Sequence, residues 1–167
     1  MKQVLTRFYE STLIILSFIF PFIEVSYYFG AKVFLSTDSI TLKYIYMNYI
    51  VKLTAFYEGN IYLIFAAMIG IFITCSRGTV PLTKFVRFNI IQAILLSIIC
   101  TCVGSIFSFV PLVLRESGVG ILFANSLFLG IILVMLYSWT LVVFGRYPKL
   151  PVISEAARLQ VQRGYLD

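Results

Sequence analysis

Four polar side chains interrupt the long apolar runs of this 167-residue chain: Glu24, Asn89, Gln92 and Asn125. A carboxyl or amide in hydrocarbon must find a partner or line a wet path, because each unsatisfied polar group there costs several kcal/mol. Asn89 and Gln92 are three residues apart, so a helix sets both on one face, about one turn inside the boundary. They either bind this helix to a neighbour or border a polar path. Glu24 is the acidic residue of the apolar segments and is followed by Tyr27, Tyr28 and Lys32. It either reaches the interface, sits protonated as a structural group, or serves function, and its depth decides. Asn125 stands between the small residues Ala124 and Ser126 and reads as a helix contact.

Catalytic chemistry has little to work with. Histidine is absent, which removes the commonest general base and metal ligand. Cys75, Cys100 and Cys102 lie in or beside apolar segments and read as small packing residues. Cys100 and Cys102 point to nearly opposite sides of a helix, so no metal site and no cofactor are expected. A membrane enzyme acting on lipid or quinone would need a converging set near the interface, and Glu24 with Arg87 is a thin one.

A second group of residues gathers where water gives way to hydrocarbon. Lys84-Phe85-Val86-Arg87-Phe88-Asn89-Ile90-Ile91-Gln92 runs a basic connection into an apolar segment. Lys84 and Arg87 are expected at the headgroup level with their stems along the apolar surface, and Phe85 and Phe88 in the boundary layer. The tail after Gly145 carries Arg146, Tyr147, Pro148 and Lys149, then Pro151, Ser154, Glu155 and Gln160. It reads as a stiff two-proline exit followed by a short helix. Ser154 is its expected cap, and Glu155 lies in the first turn, where the helix dipole favours a carboxylate. This helix is either a solvated stop or is docked onto the loop of Arg77 to Arg87.

The elements that place these groups follow from composition and hydropathy. Hydrophobic residues make up 60% and charged residues 12% of the chain, against about 45–50% and about 25% in an ordinary soluble domain. The fold class is an all-α integral membrane protein forming a single membrane domain. Four transmembrane helices are expected at about residues 11–30, 60–76, 88–114 and 118–145. Pro21 kinks the first, and Gly104 and Pro111 either bend the third or tip its last turns into the interface. Residues 39–56 mix apolar residues and tyrosines with Lys43 and Lys52, which suits an interfacial helix better than a fifth crossing. Residues 146–167 form the tail. Small residues four apart, Ala66 with Gly70, Gly120 with Ala124 and Ser126 with Gly130, mark helix contacts.

The formal charge of +6 reflects orientation and not nucleic acid, because the cations flank apolar segments. With four spans, Lys2, Arg7, Arg77, Lys84, Arg87, Arg146, Lys149, Arg158 and Arg163 share one side, nine cations against Lys32, Lys43, Lys52 and Arg115 on the other. Both termini are then on the synthesising side. The first apolar run is too long for a secretory signal, which has an apolar core of about 7–15 residues. An Arg-rich and Ser-rich transit segment is missing too, so the expectation is a protein made inside its compartment.

The two motifs, residues 84–96 and Gly145-Arg146-Tyr147-Pro148 to Val161, resemble the twenty-kilodalton membrane subunit of the translocon at the chloroplast inner envelope, the TIC complex. The likeness extends over residues 60–161 in spacing and is specific in those motifs; earlier residues match mainly in hydropathy. It implies four helices with both termini in the stroma and a role in importing preproteins across the inner envelope. The implied partners are other translocon subunits, translocating preproteins and membrane lipid. Relatives in cyanobacteria would place it in a plasma membrane. Abundant Ile, Phe, Tyr and Lys fit a gene kept in an AT-rich plastid genome, as similar proteins are in red algae. Few polar intramembrane groups are available to wet a conduit, so the chain reads as one wall or gate of a larger translocon. A structural assembly subunit is the alternative.

Overall fold

The computed structural model describes residues 2–163, with side chains described for residues 8–162. Lys2, Arg7 and Arg163, counted above as orienting cations, and the last residues of the tail lie outside the described side chains. Among the described residues the chain is helical throughout and has no strand.

Helix α1, Phe8–Ser36, is continuous with turns that begin at Lys2. Pro21 has no N–H for the Ser17 carbonyl, and one turn earlier the helix tightens, with Phe18 N bonded to Ile15 O at 3.2 Å. A wider π turn follows at Ser26–Gly30. The helix passes the expected end at residue 30 and stops where Thr37 turns extended. Ser39 then caps α2, Ile40–Gly59, through its hydroxyl and Leu42 N. Helix α3, Ile61–Arg77, leaves α2 at a bend of 82° and ends on Gly78 in the left-handed conformation.

Thr83 caps α4, Lys84–Phe109, by accepting from Val86 N. Within the expected third span, which reached about residue 114, the break falls at Pro111 and not at Gly104. Helix α4 continues through Gly104 and stops at Phe109, because Val110 precedes Pro111 and is driven extended, with ψ 135°. Leu112–Arg115 is a separate turn, α5. Ser117 caps α6, Gly118–Val143, which ends before Gly145 at φ 67°. The tail helix α7 is Ile153–Arg163.

Three of these helices, α1, α4 and α6, are long and apolar enough to cross a membrane; α2 and α3 meet the same measure only as a bent pair. Helix α4 lies at the centre. Its residues from Val86 to Ile94 are all buried, too wide an arc for one apolar face, because α1, α3 and α7 surround it. One core joins Ile14 and Phe18 of α1 to Cys75, Val86, Ile91, Val142 and, from the tail, Ala157 and Val161. A second joins Val25, Phe29, Cys100, Phe107, Ala124 and Phe128. The first core marks the end of the bundle with Arg77, Lys84, Arg87 and Lys149; beyond the second, Lys32 pairs with Glu116.

Of the small-residue rows, Ala124 is buried in the second core as expected of a helix contact, while Gly120 is buried against the carbonyls of Leu114 and Arg115 in the turn before its own helix. Ala66 with Gly70 and Ser126 with Gly130 are exposed, so these rows are not buried against another helix of the chain. Four-residue spacing sets a common face and leaves open which way it points.

Candidate functional site

The last turn of any helix leaves carbonyls without an intrahelical donor. At the end of α3 these are answered from α4. Arg87 Nε donates to Cys75 O at 2.6 Å, and its Nη2 donates to Ser76 O at 2.9 Å. A cation there also complements the negative end of the helix dipole. Arg87 is 2% exposed, so the protein encloses its guanidinium and the side chain is not laid open along the apolar surface. Lys84, one turn earlier, is exposed as expected.

The tail is docked and is no solvated stop. Tyr147 sets its ring against Phe85 and Phe88, edge to face, at centroid distances of 5.0 and 5.2 Å. Pro148 and Leu150 are buried, while Arg146, Pro151 and Glu155 are exposed. Ser76 donates to Gln160 Oε1 at 3.2 Å, tying α7 to the end of α3. Gln92, fully buried, donates to Ser154 Oγ at 3.4 Å. Ser154 was expected to cap α7, and here too the structure differs. Its hydroxyl turns backward, accepting from Leu150 N at 2.5 Å and donating to Pro148 O at 3.0 Å. The proline exit leaves those groups without a ladder, so the serine closes the exit and not the helix. Beside it Val152 holds φ 64°, a strained conformation for a β-branched residue.

Asn89 is fully buried and donates to Phe85 O of its own helix at 2.8 Å, so it does not bridge to a neighbour; its Oδ1 has no partner among the described residues. Glu24 is 2% exposed and accepts from the Tyr57 hydroxyl at 2.6 Å through Oε1, with Oε2 unpartnered among the described residues. Thr101 stands beside the carboxyl, and the Tyr27 ring lies 5.4 Å from the Tyr57 ring. Glu24 therefore stays inside the bundle. Lys32, which could have drawn it toward the interface, binds Glu116 at 2.6 Å instead. Asn125 is half-buried on α6, its Oδ1 likewise without a described partner.

These candidates do not converge. Gln92 belongs to the tail junction; Glu24 lies at the level of Thr101, nine residues further along α4, which is about 13 Å. The sequence reading missed Tyr57, Thr101 and the Tyr28–Ser105 hydroxyl pair at 3.1 Å. The available signal was that a buried carboxyl needs a donor and that α2 is rich in tyrosine.

With this geometry in view, the sequence of residues 5–157 matches a known family: Chloroplast import apparatus Tic20-like. The chain belongs to this family. The Tic20 family protein Ycf60 of Gracilaria tenuistipitata var. liui is 31% identical over 150 residues, covering 88% of this chain and 72% of its own. A Tic20 family protein of Synechocystis is 32% identical over 148 residues, covering 88% of this chain and 89% of its own. The Ycf60 protein of Cyanidium caldarium is 29% identical over 123 residues, 74% of this chain, and the match spans 60% of that relative's length. No solved structure matches the chain. The family resemblance read from the sequence is thus a true relationship.

Proposed function

We propose that this chain is a subunit of the translocon that imports preproteins across the chloroplast inner envelope, forming one wall or gate of a shared path. The family relationship supports the import role. The observation that carries the wall reading is that the intramembrane polar groups are buried at separate places and do not converge on one path: Glu24 Oε1 accepts from Tyr57, Asn89 donates to its own helix and Gln92 to the tail, while Glu24 Oε2, Asn89 Oδ1 and Gln92 Oε1 have no partner among the described residues. Even one translocating helix is about 10 Å wide, and α4 is packed by neighbours where such a path would run. Partner subunits then supply the remaining wall.

The topology that suits this role has four crossings, α1, α3, α4 and α6, with both termini in the stroma. The ends of α3 and α6, the start of α4 and the tail share one end of the bundle with Arg77, Lys84, Arg87, Arg146, Lys149 and Arg158, as the positive-inside rule favours. Helix α2 is the surface-seeking limb, leaving α3 at 82° with Lys52, Tyr44 and Tyr49 exposed and Tyr46 and Tyr57 against α1. In a cyanobacterium the same topology belongs to the plasma membrane.

A second reading is favoured by one observation. The outward rows Ala66–Gly70 and Ser126–Gly130 suit close approach by helices of other subunits, as an assembly subunit requires. A preprotein stalled in the inner envelope separates the two. Photo-cross-linkers replacing Phe56 or Tyr27 should capture it if the chain is a wall, while probes at Leu63 and Leu133 should not. Capture at no position would move the chain to the assembly class.

A further inference from the structure

A cavity of about 670 Å³ opens at the cation-rich end, between the first turn of α4 and the proline exit into α7. Its floor is apolar, built from Phe88, Leu150 and Val161, all buried. Its rim carries Lys84, Lys149 and Arg158 against one carboxylate, Glu155, and all four are exposed. The volume falls in the range of small-ligand sites, about 300–1,000 Å³. The position is as telling as the lining. Phe88 lies in the first turns of the buried stretch of α4 that begins at Val86, and Lys84 stands one turn before it, an order that suits a floor facing hydrocarbon and a rim facing headgroups.

A ligand matched to this site is apolar at one end and anionic at the other. A soluble anion would use the rim and leave Phe88, Leu150 and Val161 facing nothing. An acidic peptide would meet the cations but brings no chain to lie along the floor. We propose that the cavity binds an anionic glycerolipid, its charged headgroup against Lys149 and Arg158 and the upper part of an acyl chain on Phe88 and Val161. Basic pockets beside membrane helices on the cytoplasm-like side recognise headgroups in this way. Because α7 forms one wall, a bound lipid would also hold the tail against α4, which makes docking of the tail responsive to the lipid around it. The inference stands on the cavity alone and does not depend on the import role.

The test uses the full chain in micelles doped with equal amounts of phosphatidylglycerol and phosphatidylcholine, with retained lipid read by native mass spectrometry. Phosphatidylglycerol should be retained in preference. Lys149→Gln and Arg158→Gln should each weaken its retention about fivefold, the usual contribution of one basic residue near a membrane surface. Glu155→Gln should strengthen it, so the idea does not rest on loss alone; unfolding midpoints taken in parallel should stay near the parent's because these side chains are exposed. Equal retention of the two lipids, or retention of phosphatidylglycerol unchanged in the cation variants, overturns the proposal. Displacement of the lipid by inorganic phosphate at comparable concentration also overturns it, since the rim would then be reading a free anion.

Discussion

Gly78 and Arg87 make one cap between them: a Cβ on Gly78 would lie 2.9 Å from Arg87 Nη1, so the bare glycine is what lets the guanidinium reach the end of α3. Gly78 also holds φ 71°, where any other residue is strained by about 1–2 kcal/mol. Gly78→Ala therefore incurs both the strain and a displaced guanidinium. Arg87→Ala leaves the Cys75 and Ser76 carbonyls without their donor, and hydrogen bonds to a charged group contribute about 1.5–3 kcal/mol. Both variants should lower the denaturant midpoint in mixed micelles, Arg87→Ala by more. Arg87→Lys should recover only part, because an ammonium cannot span two carbonyls as a planar fork does. A parent-like midpoint for Arg87→Ala would mean that water or lipid replaces the cap at no cost.

The sequence was legible where the signal is local and opaque where it is not. The break at Pro111 and the apolar runs of α1, α4 and α6 follow from neighbours within a few residues. Arg87 looked like a boundary cation because nothing in residues 84–96 tells which carbonyls twelve residues earlier go unanswered. Ser154 looked like a helix cap for a similar reason: a serine two residues after a valine and an isoleucine has the right type, but the prolines upstream left a competing donor and acceptor closer at hand. Glu24 and Tyr57 are 33 residues apart and meet only because α2 turns back along α1. Docking of the tail was undecidable from Ala157, Leu159 and Val161 alone; two of the three are buried and Leu159 is exposed.

The Tyr57 hydroxyl is the described link between α2 and the Glu24 carboxyl, so Tyr57→Phe isolates it. Hydrogen bonds between membrane helices average about 0.6 kcal/mol and reach about 2 at most. The Tyr27 and Tyr46 ring contacts remain in the variant, so α2 should loosen without detaching. Protease cleavage at the turn around Thr37 and Asp38 should quicken a few-fold. Glu24→Gln should behave like the parent, since an amide oxygen still accepts from the tyrosine. Equal loosening in both variants would show that charge on Glu24, and not the tyrosine hydrogen bond, holds the segment.

Gly104 and Gly130 make a pair of opposite sign. Both are helix-interior glycines, where alanine ordinarily gains about 1 kcal/mol. Around Gly130 a Cβ meets nothing within 4 Å, so Gly130→Ala should show most of that gain. At Gly104 it would run into the Tyr28 ring, whose hydroxyl is bonded to Ser105 at 3.1 Å. Overpacking costs about 1–3 kcal/mol, which exceeds the propensity gain. Gly104→Ala should therefore lower the unfolding midpoint and Gly130→Ala raise it. A rise in both would mean that Tyr28 moves aside freely and that the close approach of α1 to α4 is loose.

Lys32 and Glu116 close the bundle at the end opposite the tail, and their pairing makes a prediction about acid. The Lys32 ammonium donates to Glu116 Oε1 at 2.6 Å and holds that carboxyl below the ordinary carboxylate range. A lowered folded-state pKa means that the unfolded chain binds the proton more readily. The stabilisation is therefore complete above the ordinary glutamate value and fades as pH falls through the lowered one. Glu116 is exposed, so the effect is small and screened by salt. The parent and Glu116→Gln should differ in unfolding midpoint at neutral pH and low salt, converge as the pH drops below about 4, and converge again at neutral pH when salt is raised. Lys32→Gln should reproduce the Glu116→Gln profile, because either change removes the same pair. If the parent's midpoint instead rose on acidification relative to Glu116→Gln, the carboxylate would be harming the fold, and the contact between α1 and the turn before α6 would have to be held by packing alone.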